Sequence, residues 1–372
     1  MPRGGDAVAR ICREFAWAES ACIPWSAVMM GVWIVVGLST PGCTTSTSWG
    51  PSSRRVGPAW PGPTGRLGSG SDVLGLDDTV SRDHDWGLRL NLMVSTDVVA
   101  EVDEHLEATL PETFEGLPTR FTTTWDARRR HRVQVQDAAS FVQSRTGVAV
   151  RDPLPPGDWL TLTGQAVLEV TAGPVFVDTD GALTAARAAL QWYPDDVWTY
   201  VIAADWARLA QELPLVGRTA ERGDDLGSRV IAARLVEVAM HLAHLIDRRW
   251  PPYAKWLGTS LTRLPRSHAV TAPLTRALIS TGWRSREDAL VDAVRTLSHL
   301  QAGAGLPTVA DPVEAFWDRA YRGIRAEVIT ALEESITDPA VHALPRGVGS
   351  VEQWSHNVDV LTNPTRRHLP PG

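Results

Sequence analysis

The chain has 372 residues and a formal net charge of −7 at pH 7, and 44% of its residues are hydrophobic. A chain of this length can form two domains with full cores. The negative charge gives no general attraction for nucleic acid or for an anionic membrane, so we expect small-molecule or protein partners and no nucleic acid. The only cysteines are Cys12, Cys22 and Cys43, which excludes a disulfide scaffold or a cysteine zinc site from the rest of the chain.

Residues 1–66 differ in composition from the residues that follow. Val28 to Leu38 form an apolar run whose length suits a signal-peptide core or a buried helix better than a membrane span. Residues 41–65 are rich in Pro, Gly, Ser and Thr, which is typical of linkers and disorder. We therefore predict a divergent, disordered N-terminal extension over 1–66. The alternative is a membrane anchor through residues 23–43.

The segment LGSGSDVLGLDDTVSRDHDWG, residues 67–87, combines a glycine-rich loop with two aspartates. The backbone of such a loop can approach a phosphate closely, because glycine has no Cβ. The candidate phosphate-binding residues are Gly68, Ser69, Gly70 and Ser71, with Gly75 beyond them. Asp83 and Asp85 precede LRLNLMV, and on a strand both carboxylates share one face, roughly 6.5–7 Å apart at Cα. Two such carboxylates can bind Mg²⁺, although an Asp-rich turn is the simpler alternative.

The next part of the chain predicts alternating strands and helices. Residues 97–110 have helical apolar spacing, residues 120–124 are β-prone, and a polar turn is expected over 126–130. His131 to Gln136 alternate as a strand does, and Asp137 can cap a helix that ends before Gly147. The arginine-rich run at 128–132 is short and is expected to be a solvated loop. These elements form a small α/β domain over 67–155.

From residue 156 onward the pattern is helical almost throughout. The predicted helices begin at Asp195 and cover 226–246, 269–280, 286–301 and 312–336. The fold class is therefore α+β: a small mixed-sheet domain over 67–155, followed by an all-helical bundle domain over 156–372.

The Gly-Ser loop, the second glycine and the Ser81-x-Asp83-x-Asp85 pattern leading into an apolar strand resemble the signature of the nucleotidyltransferase superfamily. That superfamily includes polymerase β-like enzymes and aminoglycoside nucleotidyltransferases. Within it, the whole segment 67–87 resembles the bacterial domain of unknown function 4037 family, and the likeness extends over roughly residues 67–365. The resemblance implies the fold given above and a Mg²⁺-dependent reaction with ATP or another NTP, in which Asp83 and Asp85 bind the metal.

Enzymes of this superfamily generally use a third carboxylate on a neighbouring strand. The matching run here is Arg132, Val133, Gln134 and Val135, so Gln134 occupies the position of the acid. An amide oxygen can accept a hydrogen bond or ligate a metal but brings no negative charge, so metal affinity and base strength should both fall. Gln134 in place of a carboxylate therefore weakens the prediction of catalysis more than the prediction of the fold.

Three residues of the helical domain are further candidates. Lys255, the only lysine, lies in PPYAKWLG and can neutralise triphosphate charge; the alternative is a lysine covering an aromatic patch. Arg218 can bind phosphate or acceptor, or belong to a surface loop. Glu212 can deprotonate an acceptor hydroxyl, as the resemblance to aminoglycoside-modifying enzymes implies.

The sequence thus predicts a nucleotidyltransferase that transfers a nucleoside monophosphate from an NTP to a hydroxyl of a small molecule or protein. We expect a cytoplasmic location, since an exported enzyme would not normally meet ATP. Two alternatives stay open: a nucleotide-binding or regulatory module weakened by Gln134, and an anchored envelope protein lipidated at Cys43.

Overall fold

The computed structural model of the chain describes residues 62–77, 87–114, 116–151 and 153–367. The described chain forms two compact units. One, here called the sheet unit, comprises the described residues up to Phe141 together with Ala172–Ala185, and the other, the helical unit, comprises Val142–Thr171 and the residues from Ala186 onward. The predicted domain boundaries at residues 66 and 155 stay predictions. Residues 1–61 of the predicted N-terminal extension, including its apolar run, and Asp83 and Asp85 lie outside the described residues. The extension was predicted to reach residue 66, and for residues 62–66 the prediction of disorder was wrong, because Thr64–Gly65 form strand β1 within the sheet and Arg66 is buried.

The sheet unit contains one mixed sheet and two hairpins. Its strands are β1 (Thr64–Gly65), β2 (Leu90–Met93), β3 (Thr113–Phe114), β4 (Leu117–Pro118), β5 (Arg120–Thr123), β6 (Asp126–His131), β7 (Val133–Gln136) and β8 (Val175–Val177). The sheet has the order β7-β2-β1-β8, in which β2 and β7 are parallel and β1 is antiparallel to both of its neighbours. In the register of the parallel pair Asn91 lies opposite Gln134, so two polar residues face each other across β2 and β7.

The core of the sheet unit follows from the period of two in β2 and the helical spacing after it. Leu92 and Val94 are buried against Val102 and Leu106 of the helix α1 (Val99–Thr109). Half-buried Val133 and Val135 of β7 pack on the same cluster. Alternate residues of a strand share one face, as residues four apart do in a helix, so the predicted apolar faces are the ones that the structure buries.

The arginine-rich run forms strand β6, where the sequence predicted a polar turn. Strand β6 pairs with β5 in antiparallel register, with Phe121 opposite Arg130. Arg130 forms a 2.6 Å ion pair with Asp103, and Arg132 lies 5.5 Å from the centre of the Phe121 ring. The turn prediction was wrong because residues 126–131 pair with β5 as a strand, whereas the expected solvent exposure holds for Arg128 and Arg129, whose side chains are 79% and 60% exposed.

The described helices after α1 are mostly those of the helical unit. They are α2 (Ala138–Thr146), α3 (Pro156–Thr161), α4 (Gly164–Thr171), α5 (Ala182–Ala189), α6 (Asp195–Ala220), α7 (Asp225–Ile246), α8 (Ala254–Leu261), α9 (Thr271–Ile279), α10 (Trp283–Gly303), α11 (Ala326–Glu334), α12 (Pro339–His342), α13 (Val351–Trp354) and α14 (Val358–Thr362). As predicted, Asp137 caps α2, accepting the Ser140 N–H at 2.8 Å.

Helix α6 lies at the centre of the helical unit and packs against α7, α10 and α11. Its Trp206 is fully buried and donates from Nε1 to Oε1 of Gln301 on α10 at 2.6 Å. A buried indole N–H needs such a partner. The contact therefore fixes the position of α10 against α6.

The helix expected over 312–336 is shorter than predicted. Strands β9 (Val313–Ala315) and β10 (Arg322–Ile324) form an antiparallel hairpin first, and α11 follows. Trp317, in the loop of this hairpin, has a φ of +56°. A helix cannot continue through such a conformation, which explains the difference.

The α+β prediction is confirmed as a class, since a small mixed sheet accompanies many helices. The hairpin and strand β8 show that residues after 156 are not wholly helical. Among the helices of the described ranges, none is both long enough and apolar enough to cross a membrane.

Candidate functional site

The glycine loop follows directly on strand β1. Three of its glycines have left-handed or otherwise positive φ angles: Gly68 at +81°, Gly70 at +144° and Gly75 at +66°. The value at Gly70 is open to glycine and essentially no other residue. A Cβ there would also collide with the carboxylate of Asp72 and the guanidinium of Arg66. The loop conformation thus requires glycine at position 70.

A buried arginine fixes the shape of the loop. Arg66, only 5% exposed, forms a two-pronged contact with Asp72, from Nε to Oδ2 at 2.7 Å and from Nη2 to Oδ1 at 2.8 Å. Nη1 and Nη2 also donate to the carbonyl oxygens of Leu67 and Ser69, at 2.6 and 2.9 Å. Sequence analysis missed Arg66, although an arginine just before a glycine loop and an aspartate six residues later is a recognisable pattern. Because Asp72 balances its charge, Arg66 positions the loop and is no free cation.

The loop contains backbone donors that no other described group uses; Gly68 is buried, Gly70 is half-buried and Ser69 is exposed. Within the described ranges, the N–H groups of Gly68, Ser69 and Gly70 make no hydrogen bond. The hydroxyl of Ser71 donates to Asp77 at 2.7 Å. Consecutive free N–H groups on a glycine-rich turn are the donors that bind phosphate oxygens in anion-binding loops. The predicted residues Gly68, Ser69, Gly70 and Ser71 thus form one turn of this kind.

Two amide side chains connect this loop to the sheet. Asn91, buried in β2, accepts the Leu67 N–H on Oδ1 at 2.8 Å. Its Nδ2 donates to Oε1 of Gln134 at 3.2 Å. Gln134, the residue at the position of the expected third carboxylate, is exposed on β7 beside the base of the loop. The structure thus brings Gln134 to the loop through Asn91, which sequence analysis did not single out.

Among the described residues of this site, Asn91 and Gln134 offer neutral amides, and no carboxylate is free to bind a metal ion. Asp72 is engaged by Arg66, and Asp77 accepts the Ser71 hydroxyl. No group of three or more His, Cys, Asp or Glu side chains that could bind a metal occurs in the described ranges. The donors described here do not by themselves fit Mg²⁺. The predicted ligands Asp83 and Asp85 lie outside the described residues, so the metal site stays a prediction.

The three candidates of the helical unit lie on two helices. Glu212, on α6, forms an ion pair with Arg234, whose Nη2 is 2.8 Å away. Arg218 is exposed in the last turn of α6. Lys255 is exposed on α8, with Nζ 4.9 Å from the centre of the Trp256 ring, a cation–π arrangement. The nearest described partners of Glu212 and Lys255 are therefore Arg234 and Trp256, and the proposed roles of all three stay predictions.

Comparison with known proteins gives a family match and similarity to solved structures. The model of a domain of unknown function, DUF4037, matches residues 159–257, which confirms the predicted resemblance to that family within this segment. The glycine loop precedes the matched segment. No curated protein matches the chain. A crystal structure of a nucleotidyltransferase-like protein from Exiguobacterium sibiricum 255-15 is similar at 15% identity and a TM-score of 0.32, over 66% of this chain and 70% of that chain.

Proposed function

We propose that this DUF4037-containing chain is a nucleotidyltransferase that transfers a nucleoside monophosphate from ATP or another NTP to a hydroxyl of a small molecule or protein. The observation that carries the proposal is the loop 66–72, whose three N–H groups have no partner in the described chain and whose shape is fixed by Arg66. Preorganised backbone donors stabilise phosphoryl charge without reorganising when the ligand arrives. The polyphosphate of the NTP is the anion we assign to them.

The other roles in this proposal follow the sequence pattern. Asp83 and Asp85 would bind Mg²⁺, which supplies charge neutralisation for the phosphates when bound. Gln134, beside the loop base, can orient a ligand through its amide but adds no charge. Lys255 and Arg218 would neutralise phosphate charge, and Glu212 would accept the proton of the acceptor hydroxyl.

A labelling experiment tests the proposal. The full chain is incubated with α-³²P-labelled ATP, or with each other labelled NTP, together with Mg²⁺ and a panel of hydroxyl acceptors. We expect label to move to an acceptor, and we expect Asp83→Ala to abolish the transfer. Asp180→Ala is the matched control, because Asp180 is an exposed carboxylate whose described hydrogen bond is to the backbone of Ala182. Equal transfer by Asp83→Ala and wild type would contradict the assignment of Asp83.

A second candidate function is a nucleotide-binding module without turnover. The observation that favours it is the neutral Gln134, whose side chain is already engaged by Asn91. In that case wild type binds NTP but transfers no label, and Gln134→Glu gains transfer because it restores the missing charge. Transfer by wild type decides for the enzyme. Absence of NTP binding, measured with a fluorescent ATP analogue, would contradict both candidates.

A further inference from the structure

A tryptophan and an arginine form a stacked pair at the tip of the β5–β6 hairpin. Trp125 lies in the two-residue turn between β5 and β6, where Thr123 is paired with Asp126. The guanidinium carbon of Arg89 lies over the Trp125 ring, 5.0 Å from its centre, a cation–π arrangement. Trp125 is nevertheless 65% exposed. Because Arg89 covers one face of the ring, the exposed area includes the opposite face.

This pair lies at the edge of the sheet from which the glycine loop leaves. In the antiparallel pairing of β1 and β2, Gly65 lies opposite Asn91. The loop that follows β1 therefore begins at the N-terminal end of β2, where the Leu67 N–H binds the Asn91 side chain. Arg89 precedes Asn91 by two residues at this same end of β2. The stacked pair and the loop thus belong to one region of the sheet unit.

The hairpin covers the face of β2 on which Asn91 lies. Gly87, Arg89 and Asn91 are alternate residues of a segment whose intervening N–H groups bond to neighbouring chain segments, so they share one face. The ring of Phe121, on β5, lies 5.8 Å from the guanidinium carbon of Arg89. A Cβ added at Gly87 would collide with the same ring. Phe121 therefore packs over the chain just before β2, and Trp125 follows it along the hairpin.

A half-buried arginine holds the hairpin in this position. Nε of Arg132 donates to the Phe121 carbonyl oxygen at 2.6 Å, and Nη1 donates to Oδ2 of Asp126 at 3.2 Å. Nη2 donates to the Arg128 carbonyl oxygen at 2.8 Å. These bonds join both strands of the hairpin, so the turn that carries Trp125 is fixed before any ligand arrives. Preorganisation of this kind lowers the entropic cost of binding.

The surroundings of Trp125 narrow the chemistry of its ligand. The other exposed residues of the hairpin are small or charged, namely Thr122, Thr124, Ala127, Arg128 and Arg129. A protein partner would need a larger apolar patch than one ring provides. A nucleobase needs only the ring, because every base has a π-face that can stack on an aromatic side chain. The polyphosphate assigned to the glycine loop carries such a base with it.

We propose that Trp125 is the base-binding residue of the nucleotide site. The nucleobase stacks on the face of Trp125 opposite Arg89, while the polyphosphate binds the loop 66–72. This inference rests on the nucleotide binding in the proposed function and does not require turnover. Since stacking depends on the area of the rings in contact, purine nucleotides gain more from Trp125 than pyrimidine nucleotides do.

The test compares ATP with inorganic tripolyphosphate, which has the phosphates and lacks the base. Isothermal titration calorimetry in the presence of Mg²⁺ measures both affinities for the full chain and its variants. Trp125→Ala should weaken ATP binding at least about fivefold and CTP binding by less, and it should leave tripolyphosphate binding unchanged. Trp354→Ala is the matched control, since Trp354 is 60% exposed but lies in the helical unit, and it should leave the affinity for ATP unchanged.

The same measurements contain the outcomes that would overturn the proposal. Unchanged ATP affinity in Trp125→Ala, with tripolyphosphate still bound, would remove the base site and leave the phosphate assignment standing. Equal weakening of ATP and tripolyphosphate would also refute it, because Trp125 would then act on the loop and not on a base. Wild type that bound neither ligand would contradict the proposed function itself. Trp125→Phe keeps a ring and should bind ATP more tightly than Trp125→Ala does.

Discussion

His241 and Asp205 are joined by a 2.6 Å contact between Nδ1 and Oδ2 inside the helical unit. The carboxylate of Asp205 stabilises the protonated form of the buried His241 ring. Three residues further along α7, His244 behaves in the opposite way. Burial lowers the pKa of His244 to about 4, and its ring nitrogens contact the Met240 carbonyl and the Ser260 hydroxyl. Two histidines on one helix therefore differ in charge because only one of them has a carboxylate beside it.

The pH dependence of stability should show this ion pair. The pKa of His241 is raised to about 10 in the folded protein and is about 6.5 in the unfolded chain. Its contribution to the free energy of unfolding is therefore fully present below about pH 6.5 and is lost as the pH rises to about 10. We expect urea unfolding to show a decline of several kcal/mol over that interval, at most about 1.4 kcal/mol per pH unit.

The control for this decline is His241→Gln, which cannot titrate. The variant should be less stable at pH 6.5, because it removes the cation that lies between the two buried carboxylates. Its stability should change less than that of wild type between pH 6.5 and 10. The same slope in both proteins would contradict a charged His241.

Arg66→Lys should loosen the glycine loop. Lysine cannot reproduce the two-pronged contact with Asp72 together with the bonds to two carbonyl oxygens. We expect a loss of about 2–4 kcal/mol in the free energy of unfolding, since Arg66 is buried and its partners would be left unsatisfied. Binding of a fluorescent ATP analogue should weaken in parallel, because the phosphate donors are on the loop that Arg66 fixes.

Arg128→Lys is the matched control for this substitution. Arg128 also pairs with an aspartate, Asp126, at 3.1 Å, but its side chain is 79% exposed. Exposed pairs contribute little, so the free energy of unfolding should stay close to that of wild type. Stability losses of the same size in both variants would show that the burial of Arg66 is unimportant.

Gly70→Ala should impair nucleotide binding more than a comparable substitution elsewhere. Gly70 has a φ of +144°, and a Cβ would meet Asp72 and Arg66. Gly116→Ala is the control, because its φ of +78° is also unfavourable for alanine but open space surrounds the added Cβ. Both should lose stability, by about 1–3 kcal/mol for backbone strain. Only Gly70→Ala should reduce affinity for the ATP analogue, which equilibrium titration at a temperature where both variants are folded would measure.

Patterns within one element were predictable from sequence, and contacts between distant residues were not. The apolar period at Leu92, Val94, Val102 and Leu106 predicted a strand and a helix that share a core, because residue spacing alone sets which side chains share a face. The loop was identifiable by its glycines. The ion pair that fixes its shape was not, since Arg66 and Asp72 meet only after the turn has brought both side chains together.

A pocket in the helical unit shows the same limit more strongly. Two of its lining residues, Gln353 and Asp205, bind each other across 148 residues of sequence, a separation at which no local spacing is informative. Lys255 drew attention as the only lysine, whereas Tyr253 and Leu257 beside it line the pocket. That lysine occurs only once in the chain is a property of its composition, and it gives no information about where Lys255 lies in the folded protein.

Trp206→Phe should destabilise the helical unit substantially. The indole is fully buried, and its Nε1 donates to Oε1 of Gln301, which is itself fully buried. Phenylalanine leaves a cavity and an unpaired Gln301 oxygen, so we expect a loss of about 2–4 kcal/mol in the free energy of unfolding. Trp317→Phe, at a tryptophan that is 83% exposed, should change it by less than about 0.5 kcal/mol.

The double variant Trp206→Phe with Gln301→Leu separates the two causes. Removing both partners of a hydrogen bond costs less than orphaning one of them, so the double variant should be less destabilised than the sum of the single variants. Gln301 also donates from Nε2 to the Pro307 carbonyl at 2.6 Å, so Gln301→Leu alone carries a cost of its own. Strict additivity of the three urea-unfolding measurements would mean that the bond between Trp206 and Gln301 contributes nothing beyond packing.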